Sequence, residues 1–309
     1  MPLPQIAVLV STFQRPQHLR RALASIAAQR GVEGKLELVV TDDGSRDETL
    51  DVVDEFARRA PFVVKFTTHP HGGFRLARCR NEGVSVSEAG YLLFTDGDCL
   101  LPPDHVAAHL EFRRRGIAVA GDSYRLDQAT SERITQSVAQ SGAFTRWVAW
   151  GERLRLAKKA RRAWIDSLVR HPLRPRLTGS NIAVWREDFE RINGFDENYV
   201  GWGLEDRDLQ LRLSQLGVRF RSILGRTAVY HLWHPRHPTY AHNNLGTPNL
   251  RYYSRDNVAT RCRQGLLKIA AEVPGCDTAE EGQDLPVILP FPAPAERVSR
   301  TYTAAYSRR

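Results

Sequence analysis

The first 120 residues alternate between short, mostly apolar runs and segments whose apolar residues recur at helical spacing. A short apolar run of this kind is typical of a strand buried in a parallel sheet. Such runs occupy residues 6–10, 36–40, 63–66, 91–94 and 117–120, and the helical segments begin near residues 16, 49, 76 and 103. The alternation predicts an α/β fold with a doubly wound, mostly parallel sheet flanked by helices.

The same alternation resumes after a basic stretch in the middle of the chain. Residues 181–184 and 228–231 are predicted strands, and residues 204–216 a predicted helix. From about residue 274 the sequence is rich in Pro, Gly, Ala and charge, which predicts a flexible C-terminal tail. We therefore divide the chain into two halves of one α/β domain (1–125 and 178–272), a basic helical insert (126–177) and a tail (273–309).

The positive charge of the chain is concentrated in the insert. The formal net charge is +9, and residues 141–176 hold ten Lys and Arg against two acidic residues, a balance of +8. Helical spacing groups apolar residues beside basic ones: Trp147, Trp150, Leu154, Ala157, Trp164, Ile165 and Leu168 next to Arg155, Lys158, Lys159 and Arg162. Such a helix can lie on an anionic membrane, pack its tryptophans on the core, or bind nucleic acid. We expect residues 146–170 to bind an anionic membrane surface, and we expect no nucleic-acid partner.

Composition narrows the class of protein. The chain is 42% hydrophobic and 26% charged, which excludes a wholly disordered protein. Its apolar runs are too short to span a bilayer, and scattered cysteines without a signal-like N-terminus predict a cytoplasmic location. The phosphate-loop, dinucleotide, nucleophile-elbow and zincin motifs are absent from the sequence, so the usual ATPase, dehydrogenase, esterase and metalloprotease interpretations lose their main support.

Acidic residues follow two of the predicted strands. Asp96 and Asp98, separated by Gly97, can hold a divalent cation that binds a diphosphate, or can form an ordinary turn. Asp42 follows another strand and can accept hydrogen bonds from a base or ribose, or can form an Asx turn or helix cap. Ligands of such sheets bind at the carboxyl ends of the strands, where both motifs are expected to lie.

Two further groups of residues, both in the second half of the chain, are candidates for a functional role. Four of the ten histidines, among them His231 and His234, fall between residues 231 and 242. A lone histidine is usually structural, but two histidines three residues apart can share a metal ion with Asp98. Glu205 and Asp206 open a predicted helix; they can simply complement its dipole, or one can deprotonate an acceptor hydroxyl group.

In order and spacing, these motifs resemble the family 2 glycosyltransferases of GT-A fold, which have a Rossmann-like sheet. The first half contributes Ser11-Thr12-Phe13-x-Arg15, Asp42-Asp43-Gly44-Ser45, Gly73-Phe74-Arg75, Arg80-Asn81-x-Gly83 and Asp96-x-Asp98. The second half resembles β-1,4-galactosyltransferases and bacterial chondroitin-type synthases. It contributes Thr178-Gly179-Ser180-Asn181, Asn193-Gly194-Phe195-Asp196-Glu197, Gly201-Trp202-Gly203-x-Glu205-Asp206 and His231-x-x-His234.

The resemblance implies a role for each matching residue. The implied donor-binding residues are Thr12, Phe13, Arg15, Asp42, Arg75, Arg80 and Asp96, with Asp42 on the uracil. The implied metal ligands for Mn²⁺ or Mg²⁺ are Asp98, His234 and His231. Asp206 is the implied catalytic base, and Glu205, Trp202 and Gly203 are implied to bind the acceptor. The galactosyltransferases usually carry a third acid after the acidic pair, where this chain has Arg207.

These features predict a metal-dependent, inverting transferase that moves a hexose (Gal, GalNAc, Glc or GlcNAc) from a UDP-sugar to a glycan or lipid-linked acceptor. We expect it to act in bacterial surface polysaccharide or lipopolysaccharide synthesis, at the inner face of the cytoplasmic membrane. A sugar-nucleotide pyrophosphorylase is disfavoured, because it would need a Gly-rich loop with a basic residue after the first strand, where this chain has Ser-Thr-Phe-Gln-Arg. The remaining alternative is a basic lipid- or nucleic-acid-binding protein built on a degenerate transferase fold.

Overall fold

A central strand, β1 (Ile6–Thr12), is buried along its whole length and organises the fold. The computed structural model describes residues 3–240 and 245–269, and the backbone of residues 287–291. The other strands are β2 (Leu36–Asp42), β3 (Val63–Thr68), β4 (Tyr91–Asp96), β5 (Cys99–Leu100), β6 (Ile117–Ala120), β7 (Ser123–Arg125), β8 (Ile182–Trp185), β9 (Arg219–Ser222), β10 (Val229–His231) and β11 (Val287–Phe291). The helices are α1 (Pro16–Ala27), α2 (Thr49–Ala57), α3 (Leu76–Val86), α4 (His105–Phe112), α5 (Gln128–Arg133), α6 (Gln136–Ser141), α7 (Trp150–Leu168), α8 (Arg186–Arg191), α9 (Glu205–Gln215) and α10 (Pro248–Tyr253), with a 3₁₀ turn at Ala143–Arg146.

The predicted mostly parallel sheet is confirmed. Among the described residues its strand order is β11-β3-β2-β1-β4-β8-β6-β9, with β8 and β11 antiparallel to their neighbours. A small second sheet has the order β5-β10-β7. The register brings Thr12 opposite Asp42 and Ser11 opposite Asp96. The carboxyl ends of β1, β2 and β4 therefore meet at one edge of the sheet.

Alternate residues of β1 feed two hydrophobic layers, as the two-residue period of a strand requires. Val8 packs with residues of α1, α2 and α4 on one face. Leu9 packs with residues of α3, α8 and α9 on the other. Both faces of the sheet are thus covered by helices, which is the arrangement that the apolar strands predicted.

The predicted insert is in two parts. Residues near its start, such as Leu126, Ala139 and Phe144, form an apolar cluster with Tyr230 of the small sheet and anchor α5 and α6. The second part is α7, which buries Leu156 and Ala163. Within the described residues, no helix is long and apolar enough to cross a membrane.

The tail differs from the sequence prediction at one point. Residues 287–291, expected to be flexible, form β11 and pair antiparallel with β3. Their sequence, Val-Ile-Leu-Pro-Phe, has the β-branched and apolar character of a strand, and a proline is tolerated because β11 lies at the sheet edge. The remainder of the predicted tail, from residue 273, and His242 of the histidine group lie outside the described residues.

Candidate active site

A cleft of about 950 Å³ opens at the carboxyl edge of the sheet. Twelve of the predicted site residues line it: Thr12, Phe13, Arg15, Arg80, Asp96, Asp98, Trp202, Gly203, Glu205, Asp206, His231 and His234. Asp42 and Arg75 are the two predicted residues that do not. Residues far apart in sequence thus converge on one cleft. It contains the Asp96 and Asp98 motif, the Glu205 and Asp206 pair, and the histidines.

The metal-ligand candidates form a tight cluster at one side of this cleft. His234 Nε2 lies 3.1 Å from Asp98 Oδ2, and His231 Nε2 lies 3.5 Å from Asp98 Oδ1. Arg15 Nη1 is 3.0 Å from Asp98 Oδ2. Burial opposes ionisation of Asp98, but His231, His234 and Arg15 outweigh it and hold its pKa well below the usual range. Asp98 is therefore ionised and has two imidazoles beside it.

Two local features bring these three residues together. β10 pairs antiparallel with β5 and puts His231 opposite Cys99, the residue after Asp98. Gly97 lies against β1, where a Cβ would be 3.1 Å from the side chain of Thr12 and 3.2 Å from the carbonyl oxygen of Ser11. A glycine therefore lets the chain turn tightly between Asp96 and Asp98.

The donor atoms of this cluster fit a divalent cation. One ligand atom from each of Asp98, His231 and His234 lies within 4.8 Å of the others. Imidazole ligands suit transition metals, whereas Mg²⁺ prefers an all-oxygen site. Of the two ions predicted from the sequence, the nitrogen donors favour Mn²⁺.

The acidic pair lies where α9 begins. Leu204, the residue before the helix, has a φ of +79°, which is unusual for a residue other than glycine. The backbone turn directs Glu205 into a buried position, and burial together with the charge of Asp206 raises the pKa of Glu205 to about 7. Burial also raises the pKa of Asp206, against the opposing charge of Arg80. Carboxylates with raised pKa values are suited to proton transfer near neutral pH.

Arg80 occupies the floor of the cleft and is fully buried. Its Nη2 contacts Asp96 Oδ1 at 3.1 Å and the Gly179 carbonyl oxygen at 3.0 Å, while its Nη1 is 3.4 Å from Glu205 Oε1. The sequence prediction gave Arg80 a role on the nucleotide or diphosphate. Its protein contacts place it between the two acidic motifs, where it contacts a carboxylate of each.

The part of the cleft where the sequence predicts the nucleotide differs in detail from that prediction. Phe13 stacks on His71 with ring centroids 4.4 Å apart. The Asp42 carboxylate accepts hydrogen bonds from Ser45 and Thr68, so it forms the Asx turn that was the structural alternative. Its neighbour Asp43 lines the cleft instead.

Arg75 also points elsewhere, since its Nε donates to the Gly72 carbonyl oxygen. Its backbone N–H donates to Asp43 Oδ2. The Asp-Asp pair in the sequence could have signalled Asp43, but the identity of the residue that faces the cleft depends on where β2 ends. β2 ends at Asp42, so Asp43 is the first residue after the strand.

Trp202 and several cations that the sequence did not assign to the site also line the cleft. Trp202 is 38% exposed and meets Tyr240 edge-on at 4.7 Å. The additional lining cations are Arg125, Arg155, Lys159, Arg176, Arg207 and Arg236. Arg155 and Lys159 come from α7, so the insert forms one wall of the cleft. Their basic character was visible in the sequence, but their position depends on how α7 packs.

Comparison with known families decides the classification. The family described as glycosyl transferase family 2 matches residues 7–172. The chain belongs to this family. A second family, described as the N-terminal domain of galactosyltransferase, matches residues 167–237. The two matches confirm the resemblance to both families that the sequence motifs indicated, with family 2 in the first part of the chain and galactosyltransferase in the second.

Individual relatives of this family 2 chain are distant. Validoxylamine A glucosyltransferase of Streptomyces hygroscopicus subsp. limoneus is 30% identical over 226 residues, covering 70% of this chain and 49% of the relative. Chondroitin synthase of Escherichia coli is 24% identical over 250 residues, covering 73% of this chain and 34% of the relative. The chain thus spans half or less of the length of these curated relatives.

A solved structure confirms the fold. The mannosyltransferase PcManGT from Pyrobaculum calidifontis, in complex with GDP-Man and Mn²⁺, superimposes with a TM-score of 0.54 at 18% identity. The superposition covers 77% of this chain and 59% of that one. The GT-A fold predicted from the sequence motifs is therefore the fold of this family 2 chain.

Proposed function

We propose that this chain is a metal-dependent, inverting glycosyltransferase that moves a hexose from a UDP-sugar to a hydroxyl group of a glycan or lipid-linked acceptor. One observation carries the proposal: a single cleft holds both the Asp98, His231 and His234 cluster and the Glu205 and Asp206 pair. The hexose is one of Gal, GalNAc, Glc or GlcNAc, because the same residues suit all four and pocket shape selects among them.

The donor would occupy the side of the cleft formed by β1 and β4. Thr12, Phe13 and Arg15 follow β1 and line this side. The aromatic pair of Phe13 and His71 offers a surface for the base, and Asp96 lies near the ribose in this proposal. The choice of uracil rests on the resemblance to galactosyltransferases and chondroitin-type synthases. The mannosyltransferase neighbour holds a guanine nucleotide. The donor panel described below therefore compares uracil and guanine nucleotides.

Asp206 would act as the general base. It accepts the proton of the acceptor hydroxyl group as that oxygen forms a bond to the anomeric carbon and the bond from that carbon to the diphosphate breaks. Attack from the face opposite the nucleotide inverts the anomeric centre, so an α-linked donor yields a β-glycoside. Glu205, held by Arg80, would bind the acceptor sugar, and Trp202 beside Gly203 would stack on it.

Asp98, His231 and His234 would hold Mn²⁺. When bound, such an ion neutralises charge that develops on the departing diphosphate. Arg15, which contacts Asp98, adds a second positive charge at the same place.

The insert would hold the protein on an anionic membrane, at the inner face of the cytoplasmic membrane where a lipid-linked acceptor is found. Trp150, Leu154, Trp164, Ile165 and Leu168 of α7 are all exposed. Lys158 and Arg162, which are also exposed, lie beside them. An exposed apolar stripe bordered by basic residues complements the anionic surface of a bilayer.

The decisive experiment is a donor panel. UDP- and GDP-sugars are incubated with the chain in Mn²⁺ or EDTA, and nucleotide binding and release are measured. We expect UDP-sugar turnover that requires Mn²⁺. Asp206→Asn should reduce it by about 10²–10⁴-fold while UDP binding is retained, because the variant removes only the base. The exposed Asp51→Asn on α2 is the control.

Preference for a GDP-sugar or indifference to EDTA would contradict the proposed donor and cofactor. Normal turnover by Asp206→Asn would contradict the proposed base. RNA binding that depends strongly on salt, without metal-dependent UDP release, would instead favour a degenerate transferase fold that binds nucleic acid.

A further inference from the structure

Arg207 breaks the acidic pattern at the start of α9. It follows Glu205 and Asp206 directly, in the place where the resembling galactosyltransferases usually have a third acid. Its side chain is exposed and lines the cleft. This position puts a positive charge next to the proposed base.

Arg176 is held beside Arg207 by a side chain of the same helix. Gln210 accepts a hydrogen bond from the Leu177 backbone N–H at 3.0 Å and donates one to the Pro175 carbonyl oxygen at 2.9 Å. Both neighbours of Arg176 are therefore fixed to Gln210. Arg207 lies three residues before Gln210 and shares its helix face. The fold itself thus brings the two arginines together at the cleft.

The two guanidinium groups repel each other, although the charge of Arg207 also interacts with that of Asp206. Residues 3–240 and 245–269 provide no hydrogen-bond or ion-pair partner for either side chain. The charge of Arg207 is the main reason that the pKa of Arg176 is lowered, and Arg174 and Arg162 add to it. Because like charges at one place are unfavourable, a bound anion would relieve the repulsion.

Several other cations of the cleft form ion pairs with carboxylates of the protein. Arg15 contacts Asp98, and Arg80 contacts Asp96. Lys159, from α7, contacts Asp122. The Arg176 and Arg207 pair differs from them in having its positive charge available to a ligand.

We propose that Arg176 and Arg207 form an anion-binding subsite at the acceptor side of the cleft, which takes a carboxylate or phosphate group carried by the acceptor. The subsite rests on the proposed transferase function and adds the chemical class of its acceptor. Guanidinium groups bind both anions through paired hydrogen bonds. The acceptor, and not the donor, is the expected source because the subsite adjoins Glu205 and Asp206, while the donor diphosphate would lie at Asp98.

The test measures acceptor binding to the full chain saturated with Mn²⁺ and UDP, so that the donor site is filled. Three probes are titrated and followed by ligand-observed NMR: methyl β-glucuronide, glucose 1-phosphate and the neutral methyl β-glucoside. We expect at least one anionic probe to bind about fivefold more tightly than the neutral one. Whichever anionic probe is preferred identifies carboxylate or phosphate as the ligand group. This preference should shrink at 0.5 M salt, because exposed charges are screened.

Arg176→Gln and Arg207→Gln should each remove most of the preference while leaving UDP binding unchanged. Arg219→Gln, which removes an exposed charge from β9, is the matched control and should retain it. Equal binding of all three probes by the unaltered chain would overturn the subsite. So would variants that weaken the neutral probe as much as the anionic ones.

A comparison of two donors tests whether the anion belongs to the acceptor or to the donor sugar. If the arginine variants weaken UDP-glucuronate binding relative to UDP-glucose but leave acceptor probes unaffected, the acceptor assignment is wrong. Failure of the unaltered chain to bind UDP with Mn²⁺ would refute the proposed function. The same probes titrated without nucleotide would then still decide whether the arginines prefer an anion.

Discussion

At the scale of single residues, a buried histidine connects the nucleotide side of the cleft to α3. The His69 ring is inaccessible to solvent, with Nε2 2.9 Å from Asp43 Oδ1 and Nδ1 2.7 Å from Glu82 Oε2. Asp43 in turn accepts the backbone N–H of Arg75, at the start of α3. Burial alone would lower the pKa of His69, but its two carboxylate partners outweigh burial and raise it to about 9. His69 is therefore a buried cation at neutral pH.

Replacing His69 should destabilise the chain in a pH-dependent way. The folded-state pKa of about 9 exceeds the unfolded value of 6.5. The stabilising contribution is thus complete below pH 6.5 and is lost as pH rises through 9. His69→Gln should lower the free energy of unfolding by at most about 3 kcal/mol more at pH 6 than at pH 9.5. Urea unfolding at both pH values measures this difference.

The exposed His171→Gln is the control for that comparison and should show no such pH dependence. An equal loss of stability at pH 6 and pH 9.5 would mean that His69 is not charged in the folded chain.

Individual site residues were predictable where a sequence motif lies directly after a strand or repeats a residue type at a regular spacing. Asp98 and His234 carried a clear sequence signal because one follows a strand and the other repeats His231 at a spacing of three. The position of Asp43 in the cleft, the contacts of Arg80 and the pairing of Arg176 with Arg207 were not predictable. Each depends on side chains from distant segments, such as Gln210, which local spacing does not reveal.

At the scale of elements, α7 combines two faces that the sequence pattern could not tell apart. Helical spacing correctly grouped Trp150, Leu154 and Trp164, but Trp147, which it also placed on this face, precedes α7 and packs against the apolar cluster that contains Tyr230. The spacing could not say whether the face on α7 is buried or exposed. In the structure the helix packs through Leu156 and Ala163, and the tryptophan face is exposed. The reason is that α7 meets the rest of the protein with Arg155 and Lys159, which pair with Asp122.

The exposed face of α7 should mediate membrane binding. Trp150→Ser combined with Trp164→Ser should weaken co-sedimentation with vesicles that contain anionic lipid by about tenfold, because two large apolar surfaces no longer enter the interface. Leu50→Ser, at an exposed apolar position on α2, is the control. These substitutions are sharper than deleting residues 146–170, which would also remove Leu156 and the pairs with Asp122.

Binding by the double variant equal to that of the unaltered chain would refute the proposed membrane face. Equal binding to neutral and anionic vesicles would show that the neighbouring basic residues do not contribute to membrane binding.

At the scale of the whole molecule, one cleft is built from both halves of the chain. The parallel arrangement of β1, β2 and β4 followed from the apolar pattern, whereas the strand order did not. The antiparallel β8 and the edge strand β11 did not, because strand direction depends on connections that the pattern leaves open. Since β10 pairs with β5 and brings His231 beside Asp98, the proposed metal site exists only when both halves are assembled.

Mn²⁺ should therefore stabilise the folded chain as a whole. A ligand at 100 times its Kd adds about 2.7 kcal/mol to the free energy of unfolding, which raises Tm by about 4 °C in a chain of this size. His234→Ala should lose this shift, whereas the exposed His171→Ala should retain it. Differential scanning fluorimetry with Mn²⁺, Mg²⁺ and EDTA measures the shift, and Mg²⁺ should be less effective because two ligands are imidazoles. An unchanged Mn²⁺ shift in His234→Ala would place the cation elsewhere in the chain.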